Sequence, residues 1–222
     1  MREIALDTET TGFDPSTGDR IVEIGCVEME NFVATGRIFH KYINPERDMP
    51  EGAFKVHGLS REFLKGHNVI AAEMDGFLDF IGDSKLVIHN AAFDMKFINA
   101  ELIRLKRPPL SMGQSIDTVA LARKMFPGAQ ASLDALCRRF KIDNTARTKH
   151  GALLDAELLA EVYLELRGGR QRGLSLAAEG SDKSFQVAKS VARAPRPHAP
   201  SADELENHTA FLGKMKEPIW NR

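Results

Sequence analysis

The chain has 222 residues, 43% of them hydrophobic, with 30 Lys and Arg against 31 Asp and Glu for a formal net charge of −1. That length holds one domain of about 170 residues with a well-buried core, plus a leftover tail, and the charge excludes a protein that grips nucleic acid by bulk basicity. It contains no run of about 18 apolar residues to span a membrane and no apolar signal segment at its start. The two cysteines, Cys26 and Cys137, sit in apolar settings without a disulfide framework, so a reducing, cytoplasmic setting is expected.

The first predicted element is a strand through Ile4-Ala5-Leu6 that ends in Asp7-Thr8-Glu9. Side chains alternate along a strand, so Asp7 and Glu9 share a face with Cα atoms roughly 6–7 Å apart. An apolar core rejects two unpaired acids. Two divalent cations about 4 Å apart, bridged by one carboxylate, remove that cost and make a site for in-line attack on a phosphodiester. The spacing alone fits equally a strand end with solvated acids.

Apolar and polar residues alternate over 20–28, predicting a second strand, and a turn at Glu30-Asn31 leads into a third over 32–43. Short helical segments are predicted over 51–57, 60–65 and 72–82. A buried strand over 85–89 then runs into a helix with Asn90 as its N-cap, stopped near Lys106 by Pro108-Pro109. Asp94 falls in that helix's first turn, where the helix dipole tolerates an acid. A short strand at 115–117 precedes helices over 118–126 and 132–140.

The last helix of the body is predicted over 152–167 and ends at Gly168-Gly169. Asp155 lies in an alanine- and leucine-rich stretch of it, a poor place for an acid without a partner. His150 precedes it by five residues, about 140° away on a helix, so the two do not form an i, i+4 metal pair. His150 therefore belongs to the loop before the helix, a position that suits a general base better than a ligand. Three consecutive strands, then strands alternating with helices, predict an α/β layer fold with a mixed sheet.

Asp7-x-Glu9, Asp94, His150 and Asp155 stand in the order and contexts of the DEDDh 3′–5′ exonuclease family. Val56-His57-Gly58, Val87 to Asp94, Ala122 to Gly128, Ser132 to Cys137 and His150 to Ala156 also resemble segments of that family, which together cover residues 2 to 168. The resemblance implies a ribonuclease H-like fold with the site along the central strand. It implies that Asp7, Glu9, Asp94 and Asp155 hold two ions of Mg²⁺ or Mn²⁺, with His150 deprotonating the attacking water. Carboxylate oxygens without clustered Cys or His suit those hard cations, and histidine is the side chain that titrates near neutral pH.

Substrate contacts are expected from Asp7, Glu9, Asp155, Thr10, Thr11, Val56 and His57. Phe93 is a further candidate, by stacking on a base. His89 is assigned an orienting role, and the other phenylalanines are read as core. Removing either Asp7 or Asp155 is expected to spare the fold by relieving repulsion among the acids.

Beyond Gly169 the texture changes. Residues 170–200 are small, basic and proline-rich, which reads as a linker between the nuclease domain, 1–169, and a docking segment, 201–222. Gln171, Leu174 and Leu176 resemble the short glutamine-and-leucine motifs that dock on a sliding clamp. Ser201 to Leu205 reads as a capped helix start, followed by apolar Phe211, Leu212, Met215, Ile219 and Trp220, a face with nothing of its own to pack on. The expected function is removal of mispaired nucleotides at a frayed 3′ end of DNA, with the tail bound to a replicative polymerase's catalytic subunit. The alternatives are a stand-alone exoribonuclease and a structural bridge between polymerase and clamp.

Overall fold

The structure is a computed structural model that describes residues 1–145, 147, 149–169 and 199–216. It divides into two units, Met1–Leu174 and Ser175–Arg222.

The first unit is built on a five-stranded mixed sheet: β1 (Arg2–Thr10), β2 (Ile21–Glu30), β3 (Val33–Tyr42), β4 (Lys85–Ile88) and β5 (Ser115–Asp117). The order is β3-β2-β1-β4-β5, with β2 antiparallel to both its neighbours and β4 and β5 parallel to β1. Its helices are α1 (Glu51–His57), α2 (Arg61–Leu64), α3 (Ile70–Ile81), α4 (Ala91–Arg104), α5 (Thr118–Met125), α6 (Leu133–Phe140) and α7 (Ala152–Leu166).

The strand period sorts the core into two layers. Ile4, Leu6, Ile24, Cys26, Leu86 and Ile88 pack with Phe77 and Ile81 of α3 and Phe97 and Ile98 of α4. Ala5, Val27, Met29 and Val87 face the other way, onto Leu136 and Cys137 of α6 and Leu159, Val162 and Tyr163 of α7. Both cysteines are buried and free, as read from the sequence.

One glycine decides how closely the second layer approaches. Gly25 of β2 lies opposite Asp7 in the sheet register. A Cβ there would stand 2.3 Å from the backbone of Ala152 and Leu153, so α7 begins directly against β2 only because this residue has no side chain. On the other layer, buried Glu101 of α4 is held by Arg20, with Nε at 2.6 Å and the second nitrogen at 3.1 Å, fixing that helix to the start of β2.

Two readings need correction. Asn90 does occupy the position before α4, but in the left-handed conformation (φ 70°), and its side chain caps nothing. Its backbone N–H instead donates to Asp117 Oδ1. The phenylalanines of the body are not all core: Phe13 is 86% exposed, and Phe54 and Phe63 are also exposed. Short 3₁₀ turns at Pro15–Thr17 and Met112–Gln114 carry no period long enough to read from sequence.

The second unit contains α8 (Ala202–Leu212), which starts with the expected capping box. The Ser201 hydroxyl accepts from Glu204 N, and the Glu204 carboxylate accepts from Ser201 N. Gln171, Leu174, Leu176, Ile219 and Trp220 lie outside the described residues, as does nearly all of the expected linker. Among the described residues no helix is long and apolar enough to cross a membrane.

Candidate active site

Four acids converge where the parallel strands end, the usual place for a site in an α/β sheet. Asp7 and Glu9 come from the end of β1, Asp94 from the first turn of α4 and Asp155 from the first turn of α7. The β1–β2 register slips between Glu9 and Thr10. Such a bulge ends regular pairing and re-aims side chains beside a site.

Asp94 is held from the opposite side of β1. Thr8 N and Thr8 Oγ1 donate to its Oδ1 at 3.1 and 2.6 Å. Because Thr8 alternates with Asp7 and Glu9, the strand presents two acids on one face and clamps a third with the residue between them.

The acids disturb one another. Asp7 is pushed well above the usual carboxylate range by removal from water and by the charges of Asp94, Glu9 and Asp155. Glu9 is pushed up to about 8, by burial first and then by Asp155 and Glu23, its partner across the β1–β2 ladder. Asp94 is raised by burial, against the bonds from Thr8. This is a concentration of charge that a polar cluster alone does not relieve and that bound cations do. Oxygens of Glu9 and Asp155 and a ring nitrogen of His150 all lie within 4.8 Å of one another, a spacing that fits a metal ion. The donor chemistry is that of a hard divalent cation.

His150 stands in the loop before α7, its ring half-exposed, as expected from the spacing. Its backbone N–H donates to Val56 O, which ties the loop to α1. Nδ1 is 3.3 Å from Asp155 Oδ2.

Asp155 has a further partner that sequence reasoning missed. Arg147 donates from Nε to Oδ1 at 2.5 Å and from Nη2 to Oδ2 at 2.6 Å. The same guanidinium reaches Asp134 Oδ1 at 2.8 Å and His150 Nδ1 at 2.7 Å, with its side chain only 9% exposed. Its pKa is raised, chiefly by the bond to Asp155.

Beside the acids runs a groove of about 600 Å³. Glu9, Thr10, Thr11, Val56, His57 and Phe93 line it, as do Thr8, Gly12 and the exposed Phe13. Asp7 and Asp155, expected among the substrate contacts, are not part of its lining and belong to the adjoining acid cluster. The hydroxyls of Thr10 and Thr11 are already committed, donating to Gly12 O and Asp19 Oδ1. His57 is buried and accepts at Nδ1 from Leu59 N, so its proton sits on Nε2, which makes no hydrogen bond of normal geometry. Burial lowers its pKa, keeping the ring neutral. Phe93 is half-buried, one side on Phe97 at 5.0 Å between ring centroids and the other on the groove. His89 is bonded through Nδ1 to Thr118 Oγ1 and lines a separate depression with Asn90, Asp117 and Arg123.

Thr8 and Arg147 left no periodic signal in the sequence. Phe13 directly follows Gly12 in the turn after β1, a setting that gives a large apolar side chain no core to enter. In α8, Phe211 is exposed and Leu212 half-buried.

Comparison with known proteins agrees with this arrangement. The exonuclease family profile matches residues 4–163. The chain is 52% identical to the DNA polymerase III subunit epsilon of Rickettsia felis, covering 97% of each chain. It is 48% identical to the same subunit of Salmonella typhimurium over 97% of this chain and 94% of that one, and 47% identical to that of Escherichia coli over 88% and 83%.

Among solved structures, exonuclease X in complex with 5′ overhanging duplex DNA superposes with a TM-score of 0.57 at 25% identity, covering 75% of this chain and 90% of that one. The nuclease domain of 3′hExo, a DEDDh family member bound to rAMP, gives a TM-score of 0.64 at 15% identity with the same coverage, and so shares the fold. That fold is the ribonuclease H-like one, and exonucleases of this family use divalent metal ions. The chain belongs to the exonuclease family and, within it, to the DNA polymerase III epsilon subunits.

Proposed function

We propose that this chain is the proofreading 3′–5′ exonuclease subunit of a bacterial replicative polymerase, removing mispaired 3′-terminal nucleotides. The observation that carries the reading is the meeting of Asp7, Glu9, Asp94 and Asp155 from β1, α4 and α7, with His150 beside them and a nucleotide-sized groove alongside. Asp7, Glu9, Asp94 and Asp155 would hold two ions of Mg²⁺ or Mn²⁺, which supply charge neutralisation and polarise water and phosphate.

The chain's own residues do the rest. The groove admits the terminal nucleotide between Phe93 and the Val56-His57 end of α1, with Phe93 available to stack on the base. His57, a neutral ring, forms part of the wall against which the nucleotide lies. His150 takes the proton of the attacking water as the phosphodiester bond breaks and the 3′ oxygen departs. Thr8 keeps Asp94 in place throughout.

The body carries slightly more acid than base, 22 Lys and Arg against 25 Asp and Glu over residues 1–170. Weak DNA affinity in isolation follows, and a partner must deliver the strand. We assign that role to the polymerase III alpha subunit, docked on the tail through Phe211, Leu212 and Trp220, with the sliding clamp contacting Gln171, Leu174 and Leu176.

The test is an exonuclease assay with the full chain on paired and mispaired 3′ DNA ends, beside an RNA of the same sequence. Faster release from the mispaired DNA end, abolished by chelator, is expected. Preference for the RNA would overturn the proofreading reading.

A further inference from the structure

All four acids crowd the end of β1, yet among the described residues only Asp155 is ion-paired to an arginine or lysine. Arg147 engages both oxygens of Asp155, the two-pronged geometry that makes guanidinium–carboxylate pairs strong. It also donates to His150 Nδ1 at 2.7 Å and is anchored at its other end by Asp134.

The contact with His150 has a chemical consequence. A guanidinium has no lone pair to offer, so Nδ1 must be the acceptor. The proton of the neutral ring is then on Nε2. Both nitrogens are spoken for, and the ring has no lone pair left to take a proton from water. The alternative partner of Nδ1 is Asp155 Oδ2 at 3.3 Å, and that bond needs the opposite tautomer, with Nε2 open. His150 therefore sits between two neighbours that demand opposite states of its ring.

We propose that Arg147 is a built-in counter-cation that occupies Asp155 until a divalent cation arrives, and that its retreat onto Asp134 releases His150 in the same movement. The proposal rests on the reading of Asp155 as a metal ligand and His150 as the base. Arg147 is thus a positioning residue. Its guanidinium and a divalent cation compete for one carboxylate because two positive charges that close repel in a site with little water. The base is available only when the cation it works with is present.

The experiment uses the full chain, with Mg²⁺ as the probe. In titration calorimetry R147Q should bind Mg²⁺ more tightly, by roughly 5- to 150-fold, the usual size of a coupling between two binding events. In chelator the same variant should melt at a lower temperature than wild type, having lost the guanidinium paired to Asp155. D134N should move Mg²⁺ affinity the other way, because the displaced guanidinium loses the carboxylate it retreats to. If R147Q binds Mg²⁺ no more tightly than wild type, or if both variants shift affinity in the same direction, the proposal is overturned.

Long-range ¹⁵N–¹H correlation of the wild-type histidine rings needs no variant. His150 should carry its proton on Nε2 in chelator and lose that tautomer at saturating Mg²⁺. An unchanged tautomer at saturation overturns the interlock while leaving the metal site intact. Absence of Mg²⁺ binding to wild type overturns the metal reading itself, and this proposal with it.

Discussion

At the scale of single residues, the acids are not equivalent, and their difference is measurable. Asp7 is surrounded by other carboxylates and has no cationic partner of its own among the described ion pairs, so Asp7→Asn should raise the melting temperature of the metal-free protein while abolishing hydrolysis. Asp155→Ala should also abolish hydrolysis but lower stability, by about 1–3 kcal/mol, because it strips a nearly buried guanidinium of its main acceptor while Asp134 keeps hold. Relief of repulsion, expected from the sequence for both removals, is thus predicted for Asp7 alone, and loss of an ion pair for Asp155. Chelated thermal melts of the two variants side by side check it.

The raised carboxylates also set a pH dependence. Glu9 ionises at about 8 in the folded chain against an ordinary value of 4.5. Between those limits the folded state holds a proton that the unfolded chain has released, so stability is full below about 4.5 and is lost as pH rises through 8. Asp94 and Asp7 add to the same trend. Melts in chelator should fall from pH 5 to pH 9, and saturating Mg²⁺ should flatten or reverse that slope; a metal-free protein most stable at alkaline pH would contradict the placement of these acids.

At the scale of elements, the site depends on how closely α7 lies on the sheet. Gly25→Ala puts a methyl group 2.3 Å from the backbone of Ala152 and Leu153, and backbone has no rotamer to escape by. The expected cost is about 1–3 kcal/mol. Activity should fall further than stability does, because the first turn of α7 carries Asp155. Denaturant unfolding and turnover on one preparation separate the two effects, and an alanine variant with normal turnover would show that α7 tolerates displacement.

The same helix illustrates what the sequence discloses. Its predicted range, 152–167, follows from apolar spacing and the Gly168-Gly169 stop and overruns the observed end by one residue, while β2 follows from period-two alternation and β1 and β4 from apolar runs. The acids of β1 and α7 were legible because each is a charge in an apolar pattern, whereas Asp94, in a first turn that tolerates an acid, was legible only through its place among the family's segments. Arg147 was not, since a loop has no period and the arginine's importance arises only when α7 folds back beside it. Phe13 and Asn90 misled for a related reason: residue type predicts core or cap on average, whereas here the turn after β1 and the left-handed backbone before α4 decide.

At the scale of the whole molecule, residues 1–169 carry all four acids of the site, His150 and the groove, whereas α8 is a short, capped helix with exposed Leu205 and Phe211. A helix of that length is marginal alone and gains from a partner's surface. A fragment ending at residue 169 should therefore retain hydrolysis of free 3′ ends at close to the full-chain rate and lose co-purification with the polymerase alpha subunit. Full retention of that binding by the fragment would remove the tail from the docking role. The way the acids are dispersed along the chain has one more consequence. They emerge from the ribosome in order, Asp7 and Glu9 first, Asp94 midway and Asp155 in the body's last helix. Until α7 has been translated the polypeptide holds three of the four acids, so it cannot complete the site. A message broken before codon 155 likewise yields a harmless fragment rather than an unregulated nuclease.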